Sequence, residues 1–196
     1  MADRMAAEIS IGGKIPASLV PDLCAVIADD HVCLDWGDRR FEPGSAKELM
    51  EATQELGTAE NPVQLLWLCD DEARWGEFDS LEEFLVQHGI AFTRRSAGKY
   101  EYDAELVEYR PGMQSPCVIY LDLSGNPTVL ASELSPAVAS LAVALEHLEK
   151  GPAETVAESV REAHRLLHNQ LPPEVPPLET FEIEQAETNK EEHLGE

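Results

Sequence analysis

Gly12-Gly13-Lys14 follows the apolar run "ISI" and precedes a helical pattern. Strand, glycine turn, lysine and helix are the parts of a phosphate-binding loop, where backbone N–H groups surround the phosphates and lysine reaches them. The full pattern needs a glycine at position 8 and a Ser or Thr at position 15. Glu8 and Ile15 stand there, an anion where phosphate should lie and no hydroxyl for magnesium. The spacing Gly-x-Gly-x-x-Gly of dinucleotide sites is absent too. The glycine pair is therefore expected to make a sharp strand-to-helix turn.

Carboxylates form the second group. "LLWLCDDE" ends an apolar run in Asp70, Asp71 and Glu72, and "VIYLDLSG" carries Asp122. Strand-end aspartates can hold Mg2+ for metal-dependent hydrolysis, with Asp35 and Asp38 of "LDWGDRR" as further candidates. A chain with 38 acidic residues produces such clusters readily, so solvated loop charge is the simpler expectation and no cofactor is predicted. These strands also resemble those of response-regulator receiver domains: the acidic end of "LLWLCDDE" the magnesium pair, Asp122 the phospho-acceptor, and Lys150 near Pro152 the lysine-proline after the last strand. The resemblance implies Mg2+ at Asp70 and Asp71. It departs from the family in spacing: about five residues separate Asp122 from the next apolar run, "TVLA", whereas a parallel crossover needs a dozen or more.

Two other groupings are weaker. His164 and His168 share a helix face, but the glutamate that metalloproteases place after the first histidine is missing and no third ligand is identifiable. Cys24, Cys33, Cys69 and Cys117 form no Cys-x-x-Cys pair and sit in apolar contexts, which reads as reduced, buried cysteine. No Gly-x-Ser-x-Gly elbow is present.

The most informative cluster is basic and aromatic. Only 14 residues are Lys or Arg, yet Arg94, Arg95, Lys99 and Arg110 fall in one expected hairpin, interleaved with Phe92, Tyr100, Tyr102 and Tyr109. Arginine and tyrosine are frequent interface anchors, so these eight residues are the candidate interaction site. The same mixture can stack bases and contact phosphate. The competing expectation is ordinary cross-strand pairing, with Glu101, Glu105 and Glu108 neutralising the arginines.

The elements that must position these groups are legible in the pattern. Strands are expected over 7–11, "HVCLDW", "NPVQLLWLC", "IAFTRR", "AELVEYR", "PCVIYLDL" and, more briefly, "TVLA". A helix runs to Asp29, beginning near Val20 because Pro21 tolerates only a first turn. Ser45 with Glu48 signals a second helix ending at Gly57, and Asp79 with Glu82 a third ending at Gly89. Ser135-Pro136 opens a fourth, and Gly151-Pro152 separates it from a fifth, an antiparallel helical hairpin. The order implies an α+β fold: a mixed, largely antiparallel sheet with packed helices, a C-terminal helical hairpin and a disordered acidic tail. The domain is placed at 1–170 and the tail at 171–196, where four prolines and eight glutamates leave little to bury. Phe181 and Ile183 are the tail's only candidate docking anchors.

The formal charge of −24 repels DNA, RNA and anionic lipid, so direct nucleic-acid or membrane binding is not expected. It favours a protein partner with a basic surface. No apolar run is long enough to span a bilayer and the start lacks a signal core, which reads as cytoplasmic, in a bacterial-type cell. The leading expectation is a non-catalytic interaction module: an adaptor, accessory subunit or regulator. The alternatives are a nucleic-acid-mimicking inhibitor, which needs a continuous acidic stripe, and a metal-dependent enzyme, which needs Asp70, Asp71 and Asp122 to converge. The helical hairpin is apolar enough to pack against a second copy.

Overall fold

In β1 (Arg4–Gly12), Ala7, Ile9 and Ile11 are buried while Glu8 and Ser10 between them are only half-buried, the period of two that puts alternate side chains on one sheet face. The computed structural model describes residues 3–58, 61–99, 102–148 and 151–184. β1 lies between β4 (Asn61–Arg74) and β5 (Ala91–Ser96), antiparallel to both. With β3 (Thr53–Thr58), β6 (Ala104–Tyr109) and β7 (Cys117–Leu121) they form a six-stranded, mostly antiparallel sheet in the order β3-β4-β1-β5-β6-β7. β2 (Lys14–Pro16) follows β1 across the Gly13 turn.

Register assembles the core. Ile9 faces Leu68 and Arg94, Ile11 faces Leu66 and Phe92, and Phe92 faces Tyr109. Onto this face pack α1 (Val20–Asp29) through Leu23, Cys24 and Ile27, and α3 (Asp79–Gln87) through Leu81, Phe84 and Leu85. Each fully buried Leu, Ile or Phe contributes about 1.5–3 kcal/mol. Two carboxylates at the C-terminal end of α1 serve α3: Asp30 Oδ2 accepts from Leu81 N at 2.6 Å and Asp29 Oδ2 accepts from Ser80 Oγ at 3.3 Å. The Leu81 backbone N–H, in the first turn of α3, thus finds its partner at the end of another helix.

Several expected elements differ. The helix expected over 45–57 is α2 (Ala46–Glu51), capped by Ser45, whose Oγ accepts from Glu48 N. Residues from Thr53 on form β3 instead, because a partner strand, β4, runs alongside from Leu66 to Asn61. Tertiary pairing outweighs the local helical tendency of "TQEL". "HVCLDW" forms only bridges at Cys33, to Cys69 and Arg40, and "TVLA" is not a strand. Asp79 is the first helical residue of α3 rather than its cap, and Glu82 Oε1 accepts from Phe78 N at 3.0 Å.

Contacts divide the chain into two units: residues up to Val118 with the segment from Val175 on, and Ile119–Glu174. The division falls within β7. The second unit holds α4 (Ala131–His147) and α5 (Ala153–His168), which pack against each other. α4 begins at Ala131, four residues before the expected Ser135, so Pro136 lies inside it and Ser135 Oγ donates to Ala131 O.

The segment expected as an acidic tail carries a strand and a core residue. Residues 182–184 form β8 (Glu182–Glu184), parallel to β2, and Phe181 is fully buried in the first unit's core. Residues 185–196 lie outside the described residues.

Candidate functional site

The glycine pair that invites a phosphate receives the chain's own C-terminal segment. Gly13 N donates to Glu179 O at 3.0 Å, Glu182 N donates to Gly13 O at 3.0 Å, and Phe181 N donates to Gln64 O at 2.7 Å. A Cβ on Gly12 would lie 2.3 Å from Glu179 O, so only glycine admits the segment there. Gly13 has φ +87°, the left-handed region that favours glycine. A depression of about 410 Å³ beside this crossing includes Gly12, Lys14, Ile90, Arg110 and Pro176.

The basic and aromatic cluster does not form one surface. Phe92, Arg94, Tyr109 and Arg110 are buried, so as candidate contact residues these four are corrected: they hold the fold. Arg110 Nε donates to Pro176 O, Nη1 to Phe92 O and Tyr109 O, and Nη2 to Thr93 Oγ1, with Glu108 Oε1 3.5 Å away. Burial lowers its pKa and Glu108 opposes the shift. Its donors are occupied by backbone and neighbours, and through Pro176 it fixes the returning segment. Arg94 Nη1 donates to Gly76 O at 2.6 Å and Nη2 to Glu105 Oε2 at 3.0 Å, while Nε lies 2.8 Å from Glu82 Oε1 without hydrogen-bond alignment. Burial pushes Glu82 above its ordinary pKa, and Arg94 pulls it back. Arg95 and Lys99 are exposed and Tyr102 is half-buried. Lys99 Nζ donates to Arg4 O at 2.7 Å, and the Tyr102 ring meets Trp75 edge-on at 5.4 Å. Tyr100 lies outside the described residues.

Asp35, Asp38, Asp70, Asp71 and Glu72 gather around a depression of about 260 Å³, interleaved with Arg4, His31 and Arg40. At its floor Cys33 and Cys69 exchange backbone hydrogen bonds of 2.7 and 2.9 Å. Burial, with Cys33 and nearby carboxylates, pushes Cys69 up to about 12; burial and the same acidic surroundings raise Cys33. Both stay protonated thiols at neutral pH, poor nucleophiles. Asp70 Oδ1 accepts from Glu72 N. Asp122 belongs to the other unit and closes its own turn, accepting from Ser124 N at 2.8 Å and Asn126 N at 2.9 Å; the hydrogen bonds from Asn126 hold its pKa down. Among the described residues no three His, Cys, Asp or Glu side chains are placed to share a metal ion. His164 and His168 stack at 6.1 Å on the exposed side of α5. No described helix is long and apolar enough to cross a membrane.

The feature with no counterpart among the expected site residues is the surface of the second unit. Its helices bury only Ala137, Ala144 and Ala163. Val138 is 61% exposed, Leu145 70% and Leu148 66%, and Leu141, Val160 and Leu167 are exposed too. Large apolar side chains are thus concentrated on these two helices rather than scattered singly over the surface. The sequence reads the hairpin as apolar enough to pack against a second copy, without saying which of its side chains stay open. No protein-family model, curated protein or solved structure matches this chain.

Proposed function

We propose that the protein is a non-catalytic interaction module that joins another polypeptide through the apolar surface of its helical hairpin. The observation that carries the reading is the concentration of exposed Leu and Val on α4 and α5 against three buried alanines. The use of Asp122 by its own turn favours this over a metal-dependent enzyme built on Asp70, Asp71 and Asp122. The acidic remainder selects against nucleic acid and adds affinity where a partner presents a basic surface, while the apolar contact itself is indifferent to charge. Acting as a nucleic-acid mimic is less well supported, because Arg4, His31 and Arg40 interrupt the carboxylates around the 260 Å³ depression.

The test is cross-linking of the tagged full chain in its native lysate, read by mass spectrometry. Intermolecular cross-links that map to residues 131–171, whether to another protein or to a copy of this chain, are expected. Cross-links confined to the six-stranded unit, or none between polypeptides, contradict the reading.

A further inference from the structure

Large apolar residues recur regularly along α4 and its C-cap: half-buried Leu134 and exposed Val138, Leu141, Leu145 and Leu148 succeed one another at spacings of four, three, four and three, with exposed Val143 outside the series. That is the 3.5-residue repeat of a helix that packs along another helix, with Val and Leu at one set of seam positions and Leu throughout the other. A helix that faces a sheet or loop has no need of so regular a seam. Ser135 and Ala142 flank it, small enough for a second helix to approach closely. α5 repeats the spacing: Val156, Val160, Ala163 and Leu167 follow at four, three and four. The helices have 17 and 16 residues, so the two seams have matched lengths of about 25 Å. Two packed helices with parallel, partly open seams are half of a four-helix bundle.

Resting on the interaction reading above, we infer that the occupant of this seam is the hairpin of a second copy, closing a symmetric four-helix bundle. Charge permits that occupant. Residues 131–171 carry Glu133, Glu146, Glu149, Glu154, Glu158 and Glu162 against Lys150, Arg161 and Arg165, only −3 of the chain's −24. The hairpin is less acidic per residue than the chain as a whole, and no charged side chain interrupts the α4 seam. Area agrees. The exposed parts of Val138, Leu141, Leu145, Leu148, Val160 and Leu167 amount to roughly 500 Å² per copy and about 1,000 Å² across a twofold axis, the size at which specific pairing begins.

The charge on the rest of the chain gives the pairing a signature. Two strongly acidic bodies are brought together by an apolar contact, so added salt screens the repulsion and tightens the dimer; association with a basic partner weakens with salt. Sedimentation equilibrium of the full 21.6 kDa chain tests this, across protein concentration and at low and high salt. A species of twice the chain mass is expected, favoured by salt. The double substitution L141Q/L145Q keeps good helix formers at surface positions and is expected to raise the dimer dissociation constant at least about 100-fold. V143Q, on an exposed position outside the seam, is expected to leave it unchanged. Circular dichroism of the double variant, with helix content retained, separates lost pairing from lost folding. A monomer at every concentration, a dimer indifferent to L141Q/L145Q, or a dimer loosened by salt overturns the inference. A monomer that still cross-links to a different protein through residues 131–171 overturns it while leaving the interaction reading in place.

Discussion

The two units solve the same problem with opposite outcomes. α1 and α4 both carry an apolar stripe. In α1 Leu23, Cys24 and Ile27 are buried against the sheet and α3, and the carboxylates at its end reach across to Ser80 and Leu81. In α4 the buried residues are Ala137 and Ala144, while Val138, Leu145 and Leu148 stay more than half exposed. The first unit closes its core with its own chain, down to a C-terminal phenylalanine that returns to fill it. The second leaves several large apolar side chains of its helical hairpin open. Amphipathicity says that a face needs covering; only register and neighbours say what covers it.

That contrast can be broken from the closed side first. Arg94→Met leaves Glu82 and Glu105 without their buried cation and is expected to cost about 3–5 kcal/mol in urea unfolding of the six-stranded unit. Phe181→Ala empties the site of a fully buried ring, at a similar expected cost of about 3–5 kcal/mol. A cost under about 1 kcal/mol would mean that the returning segment is an accessory strap rather than core. Gly12→Ala forces a methyl against the Glu179 carbonyl and is expected to cost about 1–3 kcal/mol, with faster proteolysis between Val175 and Glu184.

A smaller effect follows from Asp30. Burial raises its carboxyl above the ordinary value of 3.8, outweighing the Leu81 and Ser80 N–H groups that pull it down. The folded state therefore holds this proton more tightly than the unfolded state, and Asp30's contribution to stability falls as pH rises from 3.8 through the raised folded value. Asp30→Asn keeps an acceptor for Leu81 N and removes that slope. The stability difference, followed by thermal unfolding across this window, is expected to move in the variant's favour as pH rises. The smallest effect belongs to the open side: L141Q/L145Q is expected to change the stability of the six-stranded unit by less than about 0.5 kcal/mol.

The sequence carried the parts of this architecture that depend on local chemistry. The period of two in β1, the Ser45 cap, the start of α1 forced by Pro21 and the Gly151-Pro152 break all stand in the structure. What depended on distant partners was not legible. "TQELG" is a strand only because β4 lies beside it. Arg94 and Arg110 look like surface anchors until their donors are traced to Gly76, Glu105, Phe92 and Pro176. Phe181 sits in a stretch too acidic and proline-rich to suggest a core position, yet a single aromatic with a glycine-lined entrance is enough to dock it. Gly12 and Gly13 could be read as a turn but not as the receiving edge for residues 165 or more positions away. The leucine repeat of α4 was visible as spacing; its exposure was not.

Hydrogen exchange at two protein concentrations, roughly 100-fold apart, tests the contrast most directly. Completion of the hairpin by a second copy predicts that amides of α4 and α5 exchange more slowly at the higher concentration, while those of β1, β4 and β5 exchange at the same rate in both. Equal, concentration-independent protection in the two regions would contradict it, since the hairpin would then be as complete within one chain as the sheet is.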